Sequence, residues 1–299
     1  MERVPEDEVV RLLASTYGGY LRRRTDPEWH ETMKKRLQEL LERMRDLDLL
    51  EEQAGKIKLT LLGQACGEST LPFGEAMKLV EVLREVSGGR SIDEITAKRL
   101  MALLQMLSES EAGYTPLFKR GGSRKESAWQ RDVTNYYGQD VTRALQKRAK
   151  DKYEYWARCK RAAILWEWIE GVPTRKIEDK YTINPYSGDI GAGEIRRFAD
   201  STRFNLQSAF DIANLLLLGK GPNEEQVDQL VKRLEVGLPE SALGLLNLPV
   251  RLTRGEYLEL HSAGYTEAEE VLNTSPEELR NHINFANWPV LQQTIFSEE

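Results

Sequence analysis

Apolar residues recur at three- and four-residue steps through most of the chain, a period that predicts helices. Met33, Leu37, Leu40, Leu41, Met44 and Leu47 share one face of a segment whose opposite face carries Lys34, Lys35, Arg36, Glu39 and Arg43. This predicts an amphipathic helix of about four turns. An earlier helix is expected from Pro5, with Glu6, Asp7 and Glu8 at the positive end of its dipole and Gly18-Gly19 as its break. After Leu50 the period changes. Ile57 and Leu59 alternate with Lys56 and Lys58 beyond a turn at Gly55, which predicts one small β-hairpin.

Helical spacing then resumes. Leu71-Pro72-Phe73 leads into a face of Met77, Val80 and Leu83 that ends at Gly88-Gly89, and Ser91-Ile92-Asp93-Glu94 has the form of a capping box ahead of Ile95, Leu100, Leu103, Leu104 and Leu107. Residues 113–122 read as a connection. Asp140 to Ile169 reads as one long helix, and another spans about Glu194 to Leu218, stopped by Gly219, Gly221 and Pro222. Near the C-terminus a helix through Tyr257, Leu258 and Leu260 precedes a turn at Ala263-Gly264-Tyr265 and a second capping box at Ser275-Pro276-Glu277-Glu278. The expected fold is mainly α. Two or three helices with one small β-hairpin make a winged helix over residues 1–70, a helical bundle fills 71–219, and two short helices around a tight turn make a helix-hairpin-helix-like domain over 220–299.

The charge is informative once divided. The 299 residues carry 48 acidic and 42 basic side chains, and a net charge of -6 argues against a uniformly basic nucleic-acid binder. Yet residues 119–161 hold 13 basic and 5 acidic groups, while 220–299 hold 6 basic and 14 acidic. Such asymmetry suggests a polyanion partner for one segment only. Cys66 and Cys159 stand alone, which excludes a disulfide framework or a thiolate metal site. The longest apolar run, Ala162 to Trp166, is far short of a membrane span, and the N-terminus lacks a signal-peptide core. A soluble, cytoplasmic protein without membrane partners is expected.

Candidate chemistry is sparse. No phosphate-loop run occurs, and Gly219-Lys220-Gly221 is followed by proline at a helix end. Asp93-Glu94 follows no apolar strand, and His30, His261 and His282 are dispersed without metal-ligand spacing. No catalytic centre is legible, and no metal site is expected. The basic block is different: Lys119, Arg120, Arg124 and Lys125 surround Gly121-Gly122-Ser123, and Trp129, Tyr136, Tyr137, Tyr153, Tyr155 and Trp156 are interspersed with Arg131, Arg143, Lys147, Arg148, Lys150 and Lys152. Cations that neutralise phosphates beside aromatics that stack on bases suit a single strand. A solvated helix face with its aromatics packed in the core has the same composition.

Three further segments carry a resemblance. Leu59-Thr60-Leu61-Leu62-Gly63-Gln64-Ala65 is similar to a Leu-x-x-Thr-x-Leu-Gly-x-Ala signature. Leu165-Trp166-Glu167-Trp168-Ile169 and Ile177-Glu178-Asp179-Lys180-Tyr181 precede Gly191-Ala192-Gly193-Glu194-Ile195-Arg196-Arg197, which matches a Gly-Pro-Gly-Asp-Leu-Arg-Arg helix entry. In this order they resemble the C-terminal, non-motor half of Ski-like superfamily-two helicases, in the archaeal repair-helicase branch that includes the HELQ and polymerase-theta helicase domains. There a winged helix, a ratchet bundle and a helix-hairpin-helix follow two ATPase domains.

The resemblance implies a ratchet helix in which Arg197 and, seven residues later, Phe204 grip successive bases, with Arg196 beside them and Ser201 and Ser208 as small residues on the same stripe. The family's aromatic is tryptophan; phenylalanine keeps a stacking face without the indole N–H. The hairpin departs further, with Arg251-Leu252-Thr253 where the family has Gly-x-Gly. ATP and Mg are implied only for motor domains, which this chain lacks and which would act in cis or in trans. The expected partner is single-stranded or forked DNA, with RNA open. A helical adaptor that docks protein through its acidic C-terminal segment is the alternative.

Overall fold

The first break in the chain falls at Thr16 and not at Gly18-Gly19. In a computed structural model that describes residues 6–53, 56–88, 96–107, 123–147, 149–182, 190–218, 220–275 and 277–279, helix α1 (Glu6–Ser15) gives way to α2 (Tyr17–Thr25), which runs through both glycines. Thr16 Oγ1 accepts from Gly19 N at 3.1 Å, the side-chain cap that starts a helix. Gly19 lies so close beneath α1 that a Cβ there would overlap the Leu13 carbonyl oxygen. The glycine serves close packing and not chain reversal.

Helix α3 (Trp29–Asp46) covers the predicted amphipathic segment. Strands β1 (Leu50–Gln53) and β2 (Lys56–Leu59) pair antiparallel with Leu50 opposite Leu59 and Glu51 opposite Lys58, the expected hairpin. It is the one sheet among the described residues. Thr60 then caps α4 (Leu61–Glu68), accepting from Gly63 N at 3.0 Å while donating to Asp48 O at 2.7 Å, so one hydroxyl ties the helix start to the hairpin entrance.

Helices α5 (Phe73–Gly88) and α6 (Ala97–Leu104) follow, and Met77, Val80, Leu83, Leu100 and Leu103 are buried as their spacing predicts. Thr96 is the N-cap of α6. The expected capping box at 91–94 and the connection at 113–122 lie outside the described residues.

The single helix expected from Asp140 to Ile169 is two. After α7 (Ser123–Tyr137) come α8 (Gln139–Lys147) and α9 (Lys152–Ile169), divided at Asp151. Asp151 Oδ1 accepts from Glu154 N at 2.8 Å, and Glu154 Oε2 reaches back to Lys150 N at 2.6 Å. Asp-x-x-Glu is thus an N-terminal signature inside an otherwise helical pattern. Helix α10 (Thr174–Tyr181) leads to α11 (Ala192–Leu217), whose first turn is fixed by Glu194 accepting from Gly191 N at 3.2 Å. It ends at Leu218 in the left-handed conformation, φ 46°. Helix α12 (Glu224–Val236), two short 3-10 turns, α13 (Arg254–Ser262) and α14 (Ala268–Leu272) complete the elements. Gly264, φ +101°, makes the tight turn after α13. Ser275 Oγ accepts from Glu278 N at 3.3 Å, and Pro276 lies outside the described residues.

One apolar core runs from Met44, Leu47 and Leu49 near the hairpin through α4, α5, α6, α9 and α11 to Val227, Leu230 and Leu234 of α12. A second begins at Leu238 and gathers Leu245, Leu252, Tyr257, Leu260 and Val271. Helix α11 is the centre of the bundle, packed by α4, α5, α6, α9 and α12. Among the described residues no helix is long and apolar enough to cross a membrane.

Candidate nucleic-acid interface

Helix α11 is packed on one side and open on the other, where Arg196, Asp200, Phe204, Gln207, Asp211 and Asn214 are exposed. Ile195, Phe198, Ala199, Thr202, Leu206, Ala209 and Phe210 are buried, whereas Phe204 is 68% exposed. Phe204 stands seven residues beyond Arg197, an advance of about 10.5 Å and nearly two turns, so both share a face with Ser201 between them. A phenyl ring held in water on a helix packed by several others has an available stacking surface and little backbone freedom. The Arg197 guanidinium lies 5.0 Å from the Phe198 ring centroid, which directs it along the helix surface.

Ser208, expected as a small residue on that stripe, is engaged by a distant segment. Its Oγ accepts from Thr70 N at 2.9 Å and lies 3.1 Å from Thr70 Oγ1. The connection between α4 and α5 therefore sits on α11 one turn beyond Phe204.

Arg196 is exposed and turns toward a cleft of about 720 Å³ between α11, α12 and residues 246–257. Arg251, Arg254, Asp200 and Glu235 also line it. Both acids are engaged by Arg203, at 3.7 Å to Asp200 and 3.2 Å to Glu235. Arg254 is committed to the fold: it donates to Gly237 O at 2.7 Å, Val172 O at 2.8 Å and Thr174 Oγ1 at 3.1 Å. Burial, with the Arg196 charge nearby, pushes Arg254 down to about 10.

The basic block divides sharply. Trp129 is 3% exposed, its ring 4.9 Å from Lys160 Nζ, so its faces belong to the core and are not a platform for a base. Burial pushes Lys160 down to about 8. Tyr137 and Tyr155 are also buried; Tyr136 stacks on Trp166 at 5.0 Å and donates to Glu167 at 3.0 Å. Arg158 donates to Leu145 O at 3.0 Å and Arg161 to Gln105 O at 2.7 Å, both inside the fold. The surface aromatics of the block are Tyr153, exposed, and Trp156, partly buried, edge to face at 5.4 Å with Lys152 beside both rings. Arg120 lies outside the described residues, as do the side chains of Arg124 and Lys125 in α7. The structure thus sets Arg197, Ser201 and Phe204 along one face of α11, turns Arg196 to the neighbouring cleft, and leaves Trp129 in the core.

Sequence reasoning missed the Thr70 contact and the cleft. Neither has a local signature, since both depend on distant segments meeting. The Tyr153-Lys152-Trp156 group lies within the basic block, but packing against the core decides which of its aromatics face out.

Residues 101–237 match the family model described as archaeal helicase, domain 4. The chain is 28% identical over 120 residues to the ATP-dependent DNA helicase Hel308 of Pyrococcus abyssi (strain GE5 / Orsay), covering 40% of this chain and 16% of the relative. It is 26% identical over 130 residues to the Hel308 helicase of Pyrococcus horikoshii, covering 44% and 17%. A third match, to Hel308 of Thermococcus kodakarensis, is 28% identical over 123 residues and covers 40% and 10%. The matched stretches are less than a fifth of these relatives. A little under half of this chain, including α11 and its exposed stripe, is therefore similar to domain 4 of archaeal helicases.

Proposed function

We propose that the chain is the nucleic-acid-engaging accessory region of an ATP-dependent superfamily-two DNA helicase, and that α11 grips the translocating single strand. One observation carries this reading: Phe204, a large aromatic, is 68% exposed on α11 although both other phenylalanines of that helix, Phe198 and Phe210, are buried, and it shares a face with Arg197. Phe204 stacks on a base and Arg197 meets the adjacent phosphate or base edge, with Arg196 and Ser201 flanking the strand. Residues 1–70 serve as a winged helix, 71–219 as the ratchet bundle and 220–299 as a helix-hairpin-helix-like unit. ATP and Mg belong to motor domains supplied by another part of the same protein or by another chain. The similarity to Hel308 helicases favours DNA over RNA.

The test is a fluorescence-anisotropy titration of the chain with a single-stranded oligonucleotide at two salt concentrations. Binding that weakens with salt and falls in Arg197→Ala and Phe204→Ala is expected, each removing about 1–3 kcal/mol. Equal binding by both variants and the unsubstituted chain overturns the assignment.

A protein-binding adaptor is the second reading, and a specific surface favours it. Leu12, Leu13, Tyr17, Tyr20 and Leu21 on α1 and α2 are each exposed, apolar surface suited to a protein partner. No binding of the oligonucleotide even at low salt supports this alternative.

A further inference from the structure

The segment between α4 and α5 is anchored on α11 at the turn that carries Phe204. Thr70 N–H donates to Ser208 Oγ at 2.9 Å, and Thr70 Oγ1 lies 3.1 Å from Asn205 Oδ1, 3.1 Å from Ser208 Oγ and 3.3 Å from the Phe204 carbonyl oxygen. Asn205 Nδ2 in turn donates to Ser201 O at 3.1 Å. A threonine hydroxyl has one hydrogen, which these three acceptors share, while the Thr70 N–H holds Ser208 Oγ independently of it. The result is a hydrogen-bonded run from Ser201 through Asn205 and Thr70 to Ser208 that passes beside Phe204. Ser69 stiffens the segment, donating from its hydroxyl to Cys66 O at 2.9 Å.

Thr70 is exposed and Asn205 and Ser208 are half-buried, outside the apolar core beneath α11. Polar side chains that link two distant segments at the surface, at the turn of α11 that carries an exposed aromatic, do more for local geometry than for global stability. They also cover the stripe: beyond Phe204 the next position on that face, Ser208, lies under the chain at Thr70.

We propose that Thr70 is a positioning residue for the Phe204 stacking face, fixing that turn of α11 and closing the stripe so that a bound single strand lies between Arg197 and Phe204 and leaves the helix there. This rests on the stacking role of Phe204. The base on Phe204 is the last one held along α11, and its rim is formed by Thr70 and Asn205.

The test uses the full chain and an oligothymidylate carrying one 2-aminopurine, whose fluorescence falls when the base stacks. Thr70→Val removes the hydroxyl and keeps the shape. It is expected to weaken binding roughly two- to tenfold, to brighten the bound 2-aminopurine, and to leave the melting temperature nearly unchanged. Thr70→Ser restores both readouts. Ser208→Ala removes the same anchor from the other side, reproduces the Thr70→Val result, and serves if that variant fails to fold. Thr70→Val and Ser208→Ala that match the unsubstituted chain, while Phe204→Ala lowers both binding and quenching, overturn the positioning role alone. A neutral Phe204→Ala overturns the stacking reading and the proposal with it.

Discussion

The Arg254 guanidinium lies over the indole of Trp168, 4.1 Å from the ring centroid, while Trp168 Nε1 donates to Leu234 O at 2.8 Å. Trp168 belongs to α9, Leu234 to α12 and Arg254 to α13, so one indole joins the bundle to the C-terminal unit. Gly237, φ +70°, must lack a side chain here, because a Cβ would overlap both the Trp168 ring and Arg254 Nε. Arg254→Ala leaves several carbonyl oxygens without donors and is expected to destabilise the chain by about 2–3 kcal/mol in urea unfolding. Arg254→Lys recovers little, since a single ammonium does not reproduce a planar fork that serves four acceptors.

Glu170 predicts a pH dependence. Burial alone raises a carboxyl, but Lys98 at 2.7 Å and Arg233 at 2.8 Å outweigh it and hold Glu170 below its ordinary 4.5. The folded state therefore binds this proton more weakly than the unfolded chain. The contribution is complete above about pH 4.5 and lost as pH falls through the lower folded value. Denaturant midpoints measured between pH 3 and 7 are expected to fall less steeply for Glu170→Gln than for the unsubstituted chain, starting from a lower midpoint at pH 7.

Asp151 divides what its neighbours would make continuous. Removing its cap in Asp151→Ala is expected to cost about 1 kcal/mol, visible as a lower unfolding midpoint. An unchanged midpoint shows that the break between α8 and α9 is imposed by packing alone.

Trp129 and Phe204 should respond in opposite ways. Trp129→Ala empties a core site and is expected to destabilise by about 3–5 kcal/mol. Phe204→Ala changes stability by within about 0.5 kcal/mol while lowering single-strand affinity. Thermal melts and titrations on the same two variants measure both halves.

Much of the helical order was legible because it is local. Met77, Val80 and Leu83 lie on the buried face that their spacing predicts, and alternation at Ile57 and Leu59 marks the hairpin. The errors also have local causes. Gly18-Gly19 looks like a break, but close approach beneath Leu13 asks for glycine equally. The run from Asp140 to Ile169 looks continuous unless Asp151 and Glu154 are read together. In the candidate interface, Arg197 and Phe204 share a face by arithmetic, whereas the burial of Trp129 follows from α7 packing on α9. An aromatic among cations has the same composition in a core or a groove, and long-range packing decides which.

The buried Arg158, Lys160 and Arg161 alter what the basic block means in solution. They account for three of its thirteen cations, and neutralising phosphates falls to side chains that reach water. Each phosphate paired on a single strand displaces about 0.7 of a condensed counterion. The logarithmic slope of affinity against salt will therefore be shallower than the sequence charge suggests, because these three charges exchange no ions with the strand.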